Sequence, residues 1–208
     1  GDWEEQYYLN FLDTERDQEA VRGLIRVVED QIGRSGDELV LALTSLVQNL
    51  TYDCNKLFNL QSPGKEQFQT YYPYQTLYLG EGVCGDSSIL LARILGELGY
   101  GTAYLIFNDN NHMALGVKCP RADSNYIHDG VGYCYLETTS PSRIGMIPTN
   151  LGGQDFNEEP RIVPISEGVT FQKMTLLAQT MEEEASLFGE YILELATCQE
   201  ISTYKTIH

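Results

Sequence analysis

The residues best suited to chemistry are Cys84 in the stretch GEGVCGDSS, His112 at the head of HMALGVK, and Glu137 near the end of YCYLETT. A thiolate attacks, an imidazole takes its proton and a carboxylate orients the imidazole, which is the set that acyl transfer requires. Cys84 stands just before the apolar run ILLARILGELGY, at the mouth of a predicted helix, where the helix dipole and free N–H groups favour a thiolate. With Val83 as N-cap, Cys84 is the first helical residue and Asp86 the third, so its carboxylate can reach back to a free backbone N–H. That carboxylate also opposes thiolate formation by like charge, which makes a nearby imidazolium more necessary. Taken singly, each residue has a plainer role: an inert buried cysteine, a packed strand histidine, a solvated or salt-bridged glutamate.

The same stretch has a competing reading. Gly80, Gly82 and Gly85 fit G-x-G-x-x-G, and Asp109 follows where a ribose-binding acid would be sought. A dinucleotide site needs a buried strand directly before the first glycine, and YYPYQTLYL, with its proline and polar residues, does not supply one. The cysteine reading is therefore preferred.

The elements that must position these groups read as helices, then strands, then a helix, which predicts an α+β fold. Val21, Leu24, Ile25, Val28 and Ile32 recur at helical spacing over residues 17–32. A second helix begins at SGDE, with Ser35 or Asp37 as cap and Leu39, Leu43, Leu46, Val47 and Leu50 as its buried stripe. About thirty residues rich in Gly, Pro, Gln and Tyr follow, and a loop of that length is usually functional. Residues 87–98 are apolar on nearly every side and read as a central buried helix. TAYLIF (102–107), HMALGVK (112–118) and YCYLETT (133–139), separated by the turn signals NDNN and SNYIHDGVG, predict an antiparallel sheet packed on it. If these strands pair antiparallel, the start of one and the end of another become neighbours, and His112 can touch Glu137. RIVPIS (161–166) is expected at a sheet edge, since Pro164 cannot donate to a central ladder. Residues 175–198 read as a final helix.

In order along the chain, GVCGDSSILL, NHMALGV and YLETTSP, preceded by VQNLTYD and YPYQTL, resemble the motifs of the transglutaminase-like cysteine peptidase superfamily. Its members share a helix-borne Cys in a G-x-C-x-D context, an H-[AM]-x strand, and a strand ending in Asp or Glu followed by Thr or Ser. The resemblance covers roughly residues 39–150. It implies an antiparallel sheet against a Cys-bearing helix, with Cys84 as nucleophile, His112 as base and Glu137 as orienter. Many relatives carry Asp where this chain has Glu137, so the longer side chain must be placed differently.

The oxyanion of such a reaction accepts a hydrogen bond from the Cys84 N–H and needs a second donor. Gln75 is the first choice for it and Tyr78 the alternative. Tyr71, Tyr72 and Tyr74 either line a peptide groove or pack the long loop down. The chemistry requires neither metal nor organic cofactor, and the absence of any C-x-x-C pair among the five cysteines argues against structural zinc. Outside the cytosol, four of those cysteines could form two bridges and leave one thiol, with Cys84 the best candidate for it.

A net charge of -17 and the lack of a Lys/Arg cluster argue against a nucleic-acid partner. The acids concentrate in residues 1–38 and 155–200, around a nearly balanced middle. A single domain over residues 1–208 is expected, its core at about 39–150 and its flanks acidic and helical. No stretch reaches the ~20 apolar residues of a membrane span. The abrupt opening GDWEEQ suits a soluble, extracytoplasmic part of a longer protein, although the compartment stays open. The expected activity is hydrolysis of a peptide or isopeptide bond in a peptide, protein or cell-wall peptide. Transamidation of protein glutamine and non-catalytic binding of peptides or glycans on the same fold are the alternatives.

Overall fold

The computed structural model describes residues 2–12, 14–60, 70–151 and 154–173; the helix expected over residues 175–198 lies outside them. Helix α1 (Asp2–Leu9) leads to α2 (Glu15–Ile32), where the Thr14 side chain caps the Asp17 N–H at 3.2 Å and Gly33 ends the helix in the left-handed region at φ 61°. Val21, Ile25 and Val28 of its predicted stripe are buried. Helix α3 (Asp37–Gln48) buries Leu39, Leu43 and Val47 as its periodicity requires. Its N-cap is Gly36, not Ser35 or Asp37; Asp37 is the first helical residue and its side chain accepts the Tyr100 hydroxyl at 2.6 Å.

The segment read as one long loop contains short elements that hydrophobic periodicity cannot reveal. They are β1 (Thr51–Tyr52), α4 (Cys54–Leu60), α5 (Pro73–Leu79) and β2 (Glu81–Gly82). Local side-chain bonds start both helices. Asp53 Oδ1 accepts the Lys56 N–H at 2.9 Å ahead of α4, and Gln75 Oε1 accepts the Tyr72 N–H at 2.9 Å ahead of α5, whose Pro73 suits a first turn. Strands β1 and β2 pair in parallel, Thr51 with Glu81 and Tyr52 with Gly82.

Helix α6 (Cys84–Glu97) is the buried centre: Ile89, Leu90, Leu91, Ile94 and Leu95 are all fully buried. It packs on an antiparallel sheet of β3 (Thr102–Phe107), β4 (His112–Lys118), β5 (Tyr126–His128), β6 (Val131–Leu136) and, after the small hairpin of β7 (Asn150–Leu151) and β8 (Gln154–Asp155), β9 (Arg161–Ser166). The order is β5-β6-β4-β3-β9. The fold is thus α+β, an antiparallel sheet against a Cys-bearing helix, and β9 lies at an edge with Pro164 opposite Ala103. Strand β5 falls where the sequence signals only a turn; its three residues pair with the start of β6, and the turn between them runs through Asp129 and Gly130 at positive φ. A disulfide joins Cys119, just past β4, to Cys134 in β6. One face of the sheet meets α6 through Tyr104, Ile106, Leu115 and Val117, while Leu105, Phe107, Ala114 and Tyr135 form a second cluster with Phe156 on the other. Among the described residues no helix is long and apolar enough to cross a membrane.

Candidate active site

The thiol side is assembled at the head of α6. Val83 is extended and caps the helix, and its N–H donates to Asp86 Oδ2 at 2.9 Å, as the spacing predicts. Gly82 permits this closure, since a Cβ there would stand 2.9 Å from Asp86 Cβ. Asp86 is buried and has further partners. Its Oδ1 accepts the Tyr71 N–H at 2.7 Å, and its Oδ2 meets Lys56 Nζ at 2.7 Å. The ammonium lies 3.1 Å from the centre of the Tyr71 ring. Burial pushes the Lys56 ammonium down, and the bond to Asp86 works against that loss. Pairing of β1 with β2 sets Tyr52 beside the same helix end, close enough for Cys84 to act on its hydroxyl. Burial, then the nearby Cys84, push this phenol up.

The imidazole side comes from the sheet. The β4–β6 register pairs Leu115 with Leu136, which carries the start of one strand to the end of the other. His112 Nε2 lies 3.2 Å from Glu137 Oε2. The same carboxylate oxygen accepts the Tyr135 hydroxyl at 2.6 Å, and Oε1 accepts the N–H groups of Thr138 and Thr139, both at 2.9 Å, and the Thr139 hydroxyl at 2.7 Å. Gln48 of α3 holds the adjoining backbone, donating to the Glu137 and Ser142 carbonyls at 2.9 Å each. Burial alone would lower the His112 imidazolium, but its bonds to Cys84 and Glu137 outweigh that and hold it up to about 10. Burial alone would likewise raise the Glu137 carboxyl, and the His112 bond and charge, with Tyr135 and Thr139, bring it down to about 2.

The two sides meet. His112 and Cys84 line one cavity, and interaction with Cys84 helps to raise the His112 imidazolium. Ser88, one turn along α6, fixes the spacing by donating to the Met113 carbonyl at 3.1 Å and meeting the Thr138 hydroxyl at 3.0 Å. Cys84 is the free cysteine of the described residues, Cys54 being disulfide-bonded like Cys119 and Cys134. Cys84 and His112 open on a cavity of about 360 Å³ bounded by Tyr7, Leu57, Leu60, Thr70, Asn108 and Asn111. No group of three His, Cys, Asp or Glu among the described residues is arranged to hold a metal ion.

Cys84, His112 and Glu137 are therefore brought together; the other expected site residues are not brought to them. Gln75 caps α5 through its Oε1 and Tyr78 is 89% exposed, and neither lines the cavity. Tyr71 lies under Lys56, Tyr72 packs on Phe11 with ring centres 4.8 Å apart, and Tyr74 stacks on Tyr72 beneath Arg16. These contacts pack the tyrosines against the segment's neighbours. Tyr52, Lys56, Tyr135 and Gln48 escape a reading by motif and period. Tyr52 does lie within VQNLTYD, one of the stretches that carry the resemblance.

Residues 35–122 match a family model described as a transglutaminase-like domain. The matched segment is similar to a transglutaminase-like domain. It includes Cys84 and His112 but stops before Glu137, whose place at the site is a matter of geometry alone. No curated protein and no solved structure matches the chain significantly.

Proposed function

We propose that the protein is a thiol-dependent acyl-transfer enzyme that hydrolyses a peptide or isopeptide bond. One observation supports this above the rest: the His112 imidazole meets Glu137 at 3.2 Å and lines one cavity with Cys84, and Cys84 and His112 both lie in the segment similar to a transglutaminase-like domain. An imidazole held up to about 10 carries its proton at neutral pH, the form that stabilises a thiolate beside it. Glu137, held down to about 2, remains the counter-charge throughout.

In the reaction Cys84 Sγ attacks the carbonyl carbon, and the oxyanion takes hydrogen bonds from the Cys84 N–H and the Tyr52 hydroxyl, which face each other in the free protein. The C–N bond breaks as His112 gives its proton to the departing amine, leaving a thioester on Cys84. Water then attacks the thioester, His112 takes its proton, and the carboxylic acid leaves with the thiolate restored.

Mass spectrometry of a panel of peptides, isopeptides and cell-wall peptides, with and without an added primary amine, tests the reading. The expected result is cleavage with addition of water, and its complete loss in Cys84→Ala. A product that instead retains the amine makes the enzyme a transamidase with the same first half-reaction. Equal turnover by wild type and Cys84→Ala would sink the proposal.

A further inference from the structure

Asp86 sets a buried carboxylate in the same first turn of α6 as the thiol, and both line the cavity; a like charge beside a thiol disfavours the thiolate. The opposing charge is Lys56. Its side chain, 3% exposed, ends 2.7 Å from Asp86 Oδ2, reached from α4 across thirty residues of chain. A buried ion pair is a weak device for stability, because desolvating two charges offsets most of their attraction. Its location suggests another use.

We infer that Lys56 is a positioning residue for the thiol: paired with Asp86 at the head of α6, it cancels the carboxylate that would otherwise oppose ionisation of Cys84. The inference rests on Cys84 being the nucleophile. Two sets of charged or titratable groups face Cys84. From the strands come His112, Glu137 behind it, Tyr135 on Glu137, and Tyr52. From the helix side come Asp86 with Lys56, then Tyr71 and Asp53 flanking Lys56, with Tyr7 and Tyr8 at the cavity. The tyrosines are neutral at working pH. His112 and Glu137 balance each other; on the helix side stand the carboxylates of Asp86, Asp53 and Glu81, and Lys56 is the direct counter-charge of Asp86.

The test is the rate of Cys84 alkylation by iodoacetamide, mapped by mass spectrometry from about pH 5 to pH 10, in wild type and four variants. In Lys56→Met the midpoint of the profile should rise by about one pH unit. Lys56→Arg, which keeps the charge, should hold the wild-type midpoint, and Lys56→Met/Asp86→Asn should return to it. Asp86→Asn alone leaves an uncompensated cation and should lower the midpoint, which keeps the idea testable if Lys56→Met does not fold. A reactive wild type with an unmoved midpoint in folded Lys56→Met, or in Asp86→Asn, overturns this inference and leaves the proposed function standing. A wild-type Cys84 no faster than an ordinary thiol at neutral pH sinks both.

Discussion

On one side of the cavity, His112 and Glu137 hang from strands of seven and six residues whose register is repeated at Leu115↔Leu136, Gly116↔Tyr135 and Val117↔Cys134 and tied again by a disulfide. On the other, Cys84 is held by a two-residue parallel pair, two seven-residue helices and one buried ion pair. The first side is placed by backbone regularity, the second by side chains bonding backbone across the chain. A change to the sheet side should therefore alter charge within a frame that stays put. A change to the thiol side should move the frame itself.

The sharpest way to break that contrast is Glu137→Gln. The amide oxygen still accepts from Thr138 and Thr139, but its NH2 stands where Oε2 accepted from Tyr135 and met His112, so both the charge and that acceptor are lost and kcat should fall by about 10³-fold or more with the fold retained. A loss under about tenfold would mean that the carboxylate does not serve the imidazole. The same pair sets a pH window for stability. His112, raised from 6.5 to about 10, stabilises the fold fully below pH 6.5 and loses that contribution as pH rises toward 10. Glu137, lowered from 4.5 to about 2, contributes fully above pH 4.5 and loses it as pH falls toward 2. Thermal unfolding of wild type should show this contribution as a plateau between pH 4.5 and 6.5, and Glu137→Gln should flatten the acid limb.

Tyr52→Phe probes the other side. Removing one oxyanion donor costs about 10²-fold in kcat, and the ring's remaining contacts should leave KM and the unfolding temperature nearly unchanged. If kcat holds while stability drops, Tyr52 is a strut for α6 and the second donor lies elsewhere.

The contrast also explains what the residues reveal before any coordinates. Helical spacing marks α2 and α3, a continuous apolar run marks α6, strand-like runs between turn signals mark β3, β4, β6 and β9, and antiparallel pairing of such strands would carry His112 to Glu137. The cap formed by Asp86 is legible too, because it is local, three residues from its partner Val83. Lys56 and Tyr52 are not. Each reaches Cys84 or its helix from about thirty residues away, through elements too short to show a period, and neither a lysine nor a tyrosine in a polar, proline-containing stretch signals burial. Gln75 is the instructive case: a side-chain amide just before the nucleophile is near it in sequence, but its oxygen accepts the Tyr72 N–H at the start of α5, which holds the whole amide there and not at the cavity.

Gln75→Ala removes the cap on Tyr72 and should cost about 1 kcal/mol of stability, measured by denaturant unfolding, with kcat unchanged. Tyr78→Phe, at a side chain 89% exposed, should stay within about 0.5 kcal/mol of wild type and leave kcat alone. The pair discriminates because the oxyanion role makes the opposite forecast, a rate loss without a stability loss. A hundredfold drop in kcat for either variant would mean that α5 approaches Cys84 when substrate binds, and the thiol side would then be a moving part and not a fixed one.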